Sequence, residues 1–293
     1  MTNRKKQQSF TLIELLVVIV IIGILAGVIM ISTSSSIDKA SIAKSKVFEE
    51  NVLNNLSANM VSRWKLDEIS GTSTSDVWGS SIGTLGVAPG TPTLLTESLC
   101  VNNKCMNFDG DDYISFLDKD ALDFGSGNFT FSTWLKSSQY VYLNGLVIHG
   151  NSESSSGFYI RQESSSTYTF RIHTGGTTSK ATSGTGFSLN KWHHLVATKD
   201  GNAMKVYRDG LLVGNVDHGA QTWNASSASD LLLADTHGRR FFGSIDDVKL
   251  FNETLPSAQI KQTYIAGLNS LLSKGNISKE EYNERINELA YDK

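Results

Sequence analysis

Lys191–Gly214 has the sequence KWHHLVATKDGNAMKVYRDGLLVG, and this stretch decides how most of the chain is interpreted. Two runs rich in apolar and β-branched residues, Trp192–Ala197 and Met204–Tyr207, are separated by a polar Asp-Gly-Asn turn cluster. Arg208–Gly210 is a tight-turn signal before a third run, Leu211–Val213, because Asp-Gly readily adopts the left-handed conformations that hairpin turns need. The stretch therefore predicts antiparallel β-structure.

The same pattern continues on both sides of this stretch, from about Val61 to Phe251. The clearest further strand-like runs are Tyr113–Phe116, Phe129–Leu135, Phe158–Arg161 and Tyr168–Ile172. Many short strands separated by turn clusters, without helices between them, are typical of an antiparallel sandwich or barrel. We therefore predict an antiparallel two-sheet fold for this part of the chain.

A different pattern occupies the N-terminus, where Phe10–Ile31 has the apolar sequence FTLIELLVVIVIIGILAGVIMI. A helix of about 20 apolar residues spans the hydrocarbon core of a bilayer. The leader before it contains Arg4, Lys5 and Lys6 and no acidic residue, so it should stay on the cytoplasmic side. Since residues 32–60 continue with amphipathic helical spacing, we predict a helix over residues 10–60, of which 10–31 are transmembrane.

Glu14 is a carboxylate inside this apolar segment. A charge in a membrane-spanning helix costs about 2.5–3.5 kcal/mol on insertion scales, so such a residue is interpreted as functional. An ordinary secretory signal should end in an A-x-A-like cleavage site, which Met30–Thr33 do not supply. The segment is therefore not interpreted as an ordinary secretory signal.

The residues SFTLIELLVVIVIIGILAG resemble the N-terminal class III signal of type IV prepilins and pseudopilins, over roughly Arg4 to Leu56. In that family a prepilin peptidase cuts before the aromatic residue and methylates the new amine. The resemblance implies a leader of residues 1–9, cleavage between Ser9 and Phe10, and N-methylation of Phe10. Ser9 stands where the family usually has glycine.

The same resemblance implies partners and a location. The partners are prepilin peptidase, the membrane and other pilin subunits. The chain would be single-pass in the inner membrane before assembly, and then part of an extracellular pilus or of the cell surface. Glu14 would serve filament assembly by pairing with the methylated amine of Phe10 on a neighbouring subunit.

The segments WKLDEISGT, MNFDGDDYISF, NFTFSTWLK, KWHHLVATKDGNAMKVYRDGLLVG and FGSIDDVKLFNETL resemble a laminin G-like, concanavalin A-like jelly-roll domain. The resemblance covers about Val61 to Tyr264 and implies a jelly-roll sandwich over residues 61–255. Domains of this kind bind glycans, bind proteins or serve as spacers, so the ligand stays open.

Residues 256–293 return to helical spacing. Pro256 suits the first turn of a helix, and Ser278–Glu281 has the pattern of a capping box that opens a second one. We expect a helical hairpin, either as a docking element or as a closure of the domain's own core. The predicted fold class is thus α+β: a long pilin-type helix, an antiparallel sandwich and a C-terminal helical hairpin.

Cys100 and Cys105 are the two cysteines of the chain. A metal site would want more ligands nearby, and an exported chain meets an oxidising compartment. We therefore predict a structural disulfide that pins one hairpin, with free thiols as the alternative.

Nucleic-acid binding and catalysis have no support in the sequence. A net charge of −3 lacks the basic footprint of a nucleic-acid binder. Retaining glucanases need two carboxylates about 5–5.5 Å apart, and the chain has neither an E-x-D-x-E nor an E-x-D-x-x-E run. The adjacent His193 and His194 should face opposite sides of their strand. We predict that the protein is not an enzyme.

Calcium is the one cofactor that the sequence suggests. Asp109, Asp111 and Asp112 lie on a predicted turn, and Asp247 lies near the other end of the domain. Because first and last strands of a sandwich are often neighbours, the two groups should converge and supply the oxygen ligands that Ca²⁺ prefers. The alternative is a plain hairpin turn at Asp109–Asp112, with Asp247 in a buried ion pair.

Two tryptophans are candidates for an exposed ligand platform. Trp78 and Trp223 lie in polar, loop-like surroundings, whereas Trp64, Trp134 and Trp192 lie in strand patterns that favour the core. The ligand would be a glycan or a surface protein.

The sequence as a whole predicts a type IV pilus-like filament subunit, a minor or tip pilin, that presents a non-catalytic jelly-roll module for adhesion or for glycan or protein binding. Two alternatives stay open. One is a pseudopilin of a type II secretion or DNA-uptake machine, and the other is a membrane-anchored carbohydrate-binding protein that does not polymerise.

Overall fold

A computed structural model describes residues 15–17, 19–20, 47–48, 50–69, 71–87, 90–117, 120–150, 156–174, 177–178, 183–219, 223–236 and 238–291. The chain divides into two compact units, residues 1–46 and 47–293. In the first unit the described residues 15–17 and 19–20 are helical. Ser9, Phe10 and Glu14 lie outside the described residues. Within the described part of the chain, no helix has both the length and the apolarity needed to cross a bilayer.

The second unit consists mainly of short strands. The strands are β1 (Met60–Trp64), β2 (Ser73–Thr74), β3 (Gly83–Leu85), β4 (Thr93–Leu95), β5 (Cys105–Asp109), β6 (Ile114–Phe116), β7 (Phe129–Ser137), β8 (Asn144–His149), β9 (Gly157–Ser164), β10 (Thr167–Thr174), β11 (Thr177–Thr178), β12 (Ser183–Gly184), β13 (His193–Asp200), β14 (Ala203–Arg208), β15 (Leu211–Asp217), β16 (Leu231–Leu233), β17 (Asp235–Thr236), β18 (Arg239–Arg240) and β19 (Phe242–Phe251). Short 3-10 helices span Ser57–Asn59, Glu97–Leu99 and Asp120–Leu122, and the two C-terminal helices span Ser257–Ser273 and Lys279–Tyr291.

The strands form two antiparallel sheets that stack into a jelly-roll-like sandwich. Sheet A has the order β15-β14-β13-β7-β19-β5-β4, and β1 also pairs with β19. Sheet B has the order β11-β10-β9-β8-β16-β6-β3-β2, and β12 also pairs with β10. β17 and β18 form a separate hairpin. The predicted β-sandwich with C-terminal helices is confirmed.

The core between the sheets follows from the two-residue period of the strands. On β7, Phe129, Phe131 and Leu135 are buried in the inter-sheet core, because alternate side chains of a strand point to the same face. Rings pack closely there: Trp64 lies 4.1 Å from Phe116, centroid to centroid. Aromatic and aliphatic side chains therefore share the space between the sheets.

The outer face of sheet A is buried as well. Trp134 points to this face, where its ring lies 5.7 Å from the ring of Tyr264 on the first C-terminal helix. Leu268 and Leu271 of the same helix join Trp134 in a second buried cluster. The C-terminal hairpin therefore closes the domain's own core, which is the closing role named as an alternative above.

The predicted disulfide joins Cys100 to Cys105, and both cysteines are fully buried. The loop that it closes also receives the end of the first C-terminal helix. The Val101 carbonyl accepts hydrogen bonds from the Ser270 hydroxyl and from Lys274 Nζ, the latter at 3.1 Å. The Cys100 carbonyl accepts one from Asn276 Nδ2 at 3.2 Å. The disulfide prediction is confirmed, and the bond also shapes the surface on which the helix docks.

The segment before β1 packs on the same face of sheet A. Residues 50–56 are helical, and Val52 and Leu56 are buried together with Val196 of β13 and Phe251 of β19. The predicted helix to residue 60 is wrong at its end. Its last residue, Met60, belongs to β1 and pairs with Phe251, because the sheet ladder satisfies its backbone there.

A buried charge network lies on this face. Asp247 accepts a hydrogen bond from Arg63 Nε at 2.7 Å, contacts Lys249 Nζ, and accepts a bond from Asn102 Nδ2 at 3.1 Å. Burial by itself would raise the pKa of Asp247, but the charges of Arg63 and Lys249 hold it well below its usual range. For the neighbouring Asp246, burial and the Asp247 carboxylate outweigh the charges of Lys274 and Lys249 and raise its pKa well above the usual value.

Replacing both cysteines by serine (Cys100→Ser with Cys105→Ser) should lower the free energy of unfolding of the full-length chain in detergent by about 2 kcal/mol. The disulfide closes a loop with a sequence separation of 5, and the simple loop-closure model gives about this value. Amide hydrogen exchange should also speed up over residues 270–276. Dithiothreitol should reproduce both effects in the wild type and should not affect the variant, whereas an unchanged urea midpoint would contradict the prediction.

Asp247→Asn should lower the free energy of unfolding by about 3–5 kcal/mol at neutral pH, because it removes the buried carboxylate that contacts both Arg63 and Lys249. A carboxyl whose folded pKa is depressed stabilises the fold above its unfolded pKa of about 4 and loses that contribution as the pH falls below it. Urea titrations between pH 3 and 7 should therefore show a steeper acid loss in the wild type than in Asp247→Asn. Asp120→Asn, at an exposed carboxylate, is the control; parallel profiles for wild type and Asp247→Asn would refute the idea.

Candidate functional site

An acidic turn joins β5 to β6 at one end of the sandwich. β5 ends at Asp109 and β6 begins at Ile114, and Gly110 between them has a φ of +103°, which favours glycine. The N–H of Asp109 donates a hydrogen bond to Asp112 Oδ2 at 2.8 Å. As a result, carboxylate oxygens of Asp109, Asp111 and Asp112 lie within 4.8 Å of one another.

The three carboxylates of this turn differ in environment. Asp109 and Asp111 are exposed, whereas Asp112 is buried. Burial raises the pKa of Asp112 to about 6, and the neighbouring negative charges of Asp109 and Asp111 act in the same direction. Asp112 Oδ1 is buried and has no hydrogen-bond partner among the described residues. An orphaned buried oxygen beside two more carboxylates fits a hard cation such as Ca²⁺, which takes oxygen ligands.

Asp247 does not join this group, so its predicted place in the calcium site is wrong. The strands that carry the two acidic groups are neighbours, as expected, since β5 pairs with β19. The register, however, places Phe242 opposite Asp109, and Asp247 comes later on β19. There it is paired with Arg63 and Lys249, which is the buried ion pair named as the alternative.

Arg240 lies beside the acidic turn and was not found from the sequence. Its guanidinium stacks over the ring of Tyr113 at 4.5 Å from the centroid, and Nε lies 2.6 Å from Asp235 Oδ2. Its Nη1 also donates a hydrogen bond to the Asp111 carbonyl. Arg240 therefore fixes the turn from the side of the β17–β18 hairpin. The sequence around Arg239 and Arg240 does not indicate this role, because Arg240 contacts the turn only after distant segments have come together in the fold.

The prediction that Trp223 is an exposed ligand platform is wrong. It is 4% exposed and belongs to the core between the sheets, with the ring of His218 at 5.3 Å. Its polar neighbours in sequence suggested an exposed loop, but the loop turns this indole inward, where apolar burial stabilises it. Trp223 therefore offers no face to an external ligand.

Trp78 is 51% exposed and stays a candidate ligand platform. Asp76 holds its loop: Oδ1 accepts hydrogen bonds from the N–H groups of Arg63, Trp78 and Gly79 at 3.0, 3.0 and 2.8 Å. The exposed indole is thus presented by a loop with little freedom to move.

The adjacent histidines face opposite sides of β13, as expected. His193 Nδ1 lies 2.7 Å from Asp209 Oδ2, and its Nε2 accepts a hydrogen bond from the N–H of Ser188 at 2.9 Å. His194 Nε2 lies 2.9 Å from Ser132 Oγ, and burial lowers the pKa of His194 to about 3. Both rings are buried and lie within structural networks.

Comparison with known proteins bears on the N-terminal motif and on the fold. Residues 4–30 match the prokaryotic N-terminal methylation motif, which is type IV pilin-like and implies membrane anchoring followed by surface display. Residues 108–261 match the concanavalin A-like lectin/glucanases superfamily. A search of curated proteins gives no match.

Several solved structures share the fold. One is the binding domain of Paraclostridial Mosquitocidal Protein 1, with a TM-score of 0.58 and 15% identity over 73% of this chain and 53% of that one. Another is domain 4 of AbnA, a GH43 extracellular arabinanase from Geobacillus stearothermophilus in complex with arabinotriose, with a TM-score of 0.55 and 15% identity over 70% of this chain and 98% of that one. A third is the botulinum neurotoxin serotype G binding domain, with a TM-score of 0.55 and 15% identity over 70% and 50%.

The chain spans about half the length of the first and third of these structures. At 15% identity the likeness shows the fold alone. The family match is broader, because residues 108–261 make up more than half of the sequence. The chain therefore belongs to the concanavalin A-like lectin/glucanase superfamily and carries, ahead of that domain, a prokaryotic N-terminal methylation motif.

Proposed function

We propose that this protein is a type IV pilus-like filament subunit, a minor or tip pilin, which presents its jelly-roll as a non-catalytic carbohydrate-binding module. The observation that carries the proposal is the joining of an N-terminal methylation motif at residues 4–30 to a lectin-like sandwich in one chain. The two parts fit a binding module displayed at the cell surface.

The carbohydrate ligand is supported by fold and by local chemistry. A domain with the same fold, domain 4 of AbnA, was solved in complex with arabinotriose. The half-exposed Trp78 offers one flat apolar surface, and indole rings combine such a surface with a polar N–H. Catalysis by the two histidines is disfavoured, because both rings are buried and have hydrogen-bond partners.

The way in which the sandwich joins the preceding segment supports display. Val52 and Leu56 are buried against sheet A, and a 3-10 turn leads directly into β1. Without a free linker at this point, the module keeps a fixed orientation to residues 50–56. A fixed orientation favours binding by a displayed site, because the module loses less orientational freedom when it binds.

Glu14 has a defined role in the proposed filament. In a low-dielectric core, its carboxylate pairs with the methylated amine of Phe10 on a neighbouring subunit. Any other axial register leaves a buried charge without a partner, which is costly. The pair would therefore determine both assembly and register.

Glu14→Leu should still insert in the membrane but fail to enter filaments, because Phe10 of the neighbour loses its counter-charge. Immunogold labelling and sheared-filament fractions of cells that produce each variant measure this. Glu14→Asp, which keeps the charge, is the matched variant and should retain part of the assembly. Wild-type amounts of Glu14→Leu in sheared filaments would rule the role out.

The same material separates the alternative functions. Labelling only at filament tips supports a tip pilin, and labelling along the shaft supports a minor subunit. An absence of labelled surface filaments favours the pseudopilin or the non-polymerising anchored protein. Purified filaments should also bind an oligosaccharide on a glycan array; binding of none would remove the carbohydrate-binding part of the proposal.

We also propose that the acidic turn binds Ca²⁺ through Asp109, Asp111 and Asp112. The support is the cluster of three carboxylates and the orphaned Asp112 Oδ1. Bound calcium would supply charge that lets the three carboxylates remain ionised together, and Arg240 would hold the turn in place from the other side.

Millimolar Ca²⁺ should raise the melting temperature of the full-length chain, by several degrees if its concentration is far above the dissociation constant. The shift should be absent in Asp111→Ala and should remain in Asp247→Asn, since Asp247 lies in a separate ion-pair network. Mg²⁺ at the same concentration is the ionic control. Equal shifts in wild type and Asp111→Ala would count against this site.

A further inference from the structure

An open cleft of about 690 Å³ lies where sheet A meets the first C-terminal helix. Its walls come from three places: the residue before β7, the β13–β14 hairpin, and the connection from β19 to the helix. Its volume falls in the range of about 300–1,000 Å³ that is typical of ligand sites. The cleft includes neither the acidic turn nor Trp78.

The lining is polar and mixed in chemical type. Polar side chains that line it include Asn128, Asp200, Lys205, Tyr207, Glu253 and Thr254. Asn128, Asp200 and Glu253 are exposed, and Tyr207 is buried. The cleft thus combines an amide, two carboxylates, an ammonium group and hydroxyls.

One wall of the cleft is held by Asn128. Its Oδ1 accepts a hydrogen bond from the N–H of Gly201 at 2.7 Å, and its Nδ2 donates one to Asp200 Oδ1 at 3.3 Å. These bonds tie the tip of the β13–β14 hairpin to the start of β7. The carboxylate of Asp200 is therefore positioned before any ligand binds.

The opposite wall is the connection after β19. The Thr254 hydroxyl donates to the Lys199 carbonyl at 2.8 Å, and the Thr130 hydroxyl donates to the Glu253 carbonyl at 2.8 Å. Asn59 Nδ2 donates to Glu253 Oε2 at 2.8 Å, which leaves Oε1 as an acceptor. Both walls are thus preformed, and preformed sites lose less entropy on binding.

The charged side chains of the cleft limit the class of ligand that it can bind. Asp200 and Glu253 against Lys205 give the lining a net negative charge, which disfavours carboxylated or sulfated ligands. An apolar ligand would leave these polar groups unsatisfied, which costs free energy. Each carboxylate can accept two O–H groups from neighbouring sugar hydroxyls, while Lys205 donates to a third oxygen.

From this geometry we propose that the cleft between Asn128, Lys205 and Glu253 binds a neutral, hydroxyl-rich oligosaccharide. The proposal rests on the proposed carbohydrate-binding function and gives it a location and a ligand class. The site lies next to Asn59, in the short 3-10 helix that leads into β1.

The test uses the full-length chain in detergent micelles. A glycan array identifies the neutral oligosaccharide that binds best, and titration calorimetry gives its Kd. Asp200→Asn, Lys205→Met and Glu253→Gln should each raise that Kd by about ten- to hundredfold, the range expected for a hydrogen bond to a charged group. Asp120→Asn and Lys104→Met, at exposed residues outside the cleft, are matched controls and should leave Kd unchanged.

Melting curves separate a binding effect from misfolding. Asp200 and Glu253 are exposed, so Asp200→Asn and Glu253→Gln should melt like the wild type. If Lys205→Met is destabilised, the Kd values of these two variants alone test the cleft. Unchanged Kd in Asp200→Asn and Glu253→Gln, with loss of binding in Trp78→Ala, would overturn the cleft and leave the carbohydrate-binding function standing. Binding of acidic glycans or polyamines alone would overturn the ligand class, and binding of no glycan would overturn the function together with the site.

Discussion

The burial of sheet A on both faces is the constraint on which the rest of the structure depends. On β7, eight of the nine residues are buried, and Trp134 faces away from the inter-sheet core. A sheet with two apolar faces needs cover on both sides, since exposed apolar surface costs about 25 cal/mol per Å². Sheet B covers one face. Residues 50–56 and the C-terminal hairpin cover the other, so neither is an appendage of the domain.

That second cover explains why charged side chains are buried there. A helix lying on a sheet face encloses whatever polar groups the strands present, and each needs a partner. Asp247 has Arg63 and Lys249, and Asp209 has His193 together with the N–H of His194. Burial by itself would raise the pKa of Asp209, but these contacts hold it below its usual value. Apolar clusters and satisfied ionic groups therefore lie side by side beneath the cover.

Local pattern was enough to predict the strands, the sandwich and the C-terminal helices, because each depends on spacing within a short segment; the disulfide followed from the two cysteines and the expected export of the chain. What failed depended on contacts between distant segments. Whether Asp247 reaches the acidic turn is decided by the register of β5 on β19, which alternation does not encode. Trp223 has polar sequence neighbours, yet its loop folds inward. The cleft between Asn128, Lys205 and Glu253 is formed by three segments that are distant in sequence, so no local motif predicts it.

The pairing of β1 with β19 has a mechanical consequence. β1 follows the N-terminal segment directly, and its hydrogen bonds to β19 run from Met60 to Trp64 against Phe251 to Val248. Tension along β1 shears these bonds together and does not peel them one by one, so rupture requires several to break at once. The strand that β19 pairs with on its other side is β7, in the middle of sheet A. A pulling force on β1 is therefore passed through β19 to β7, whose side chains are almost all buried.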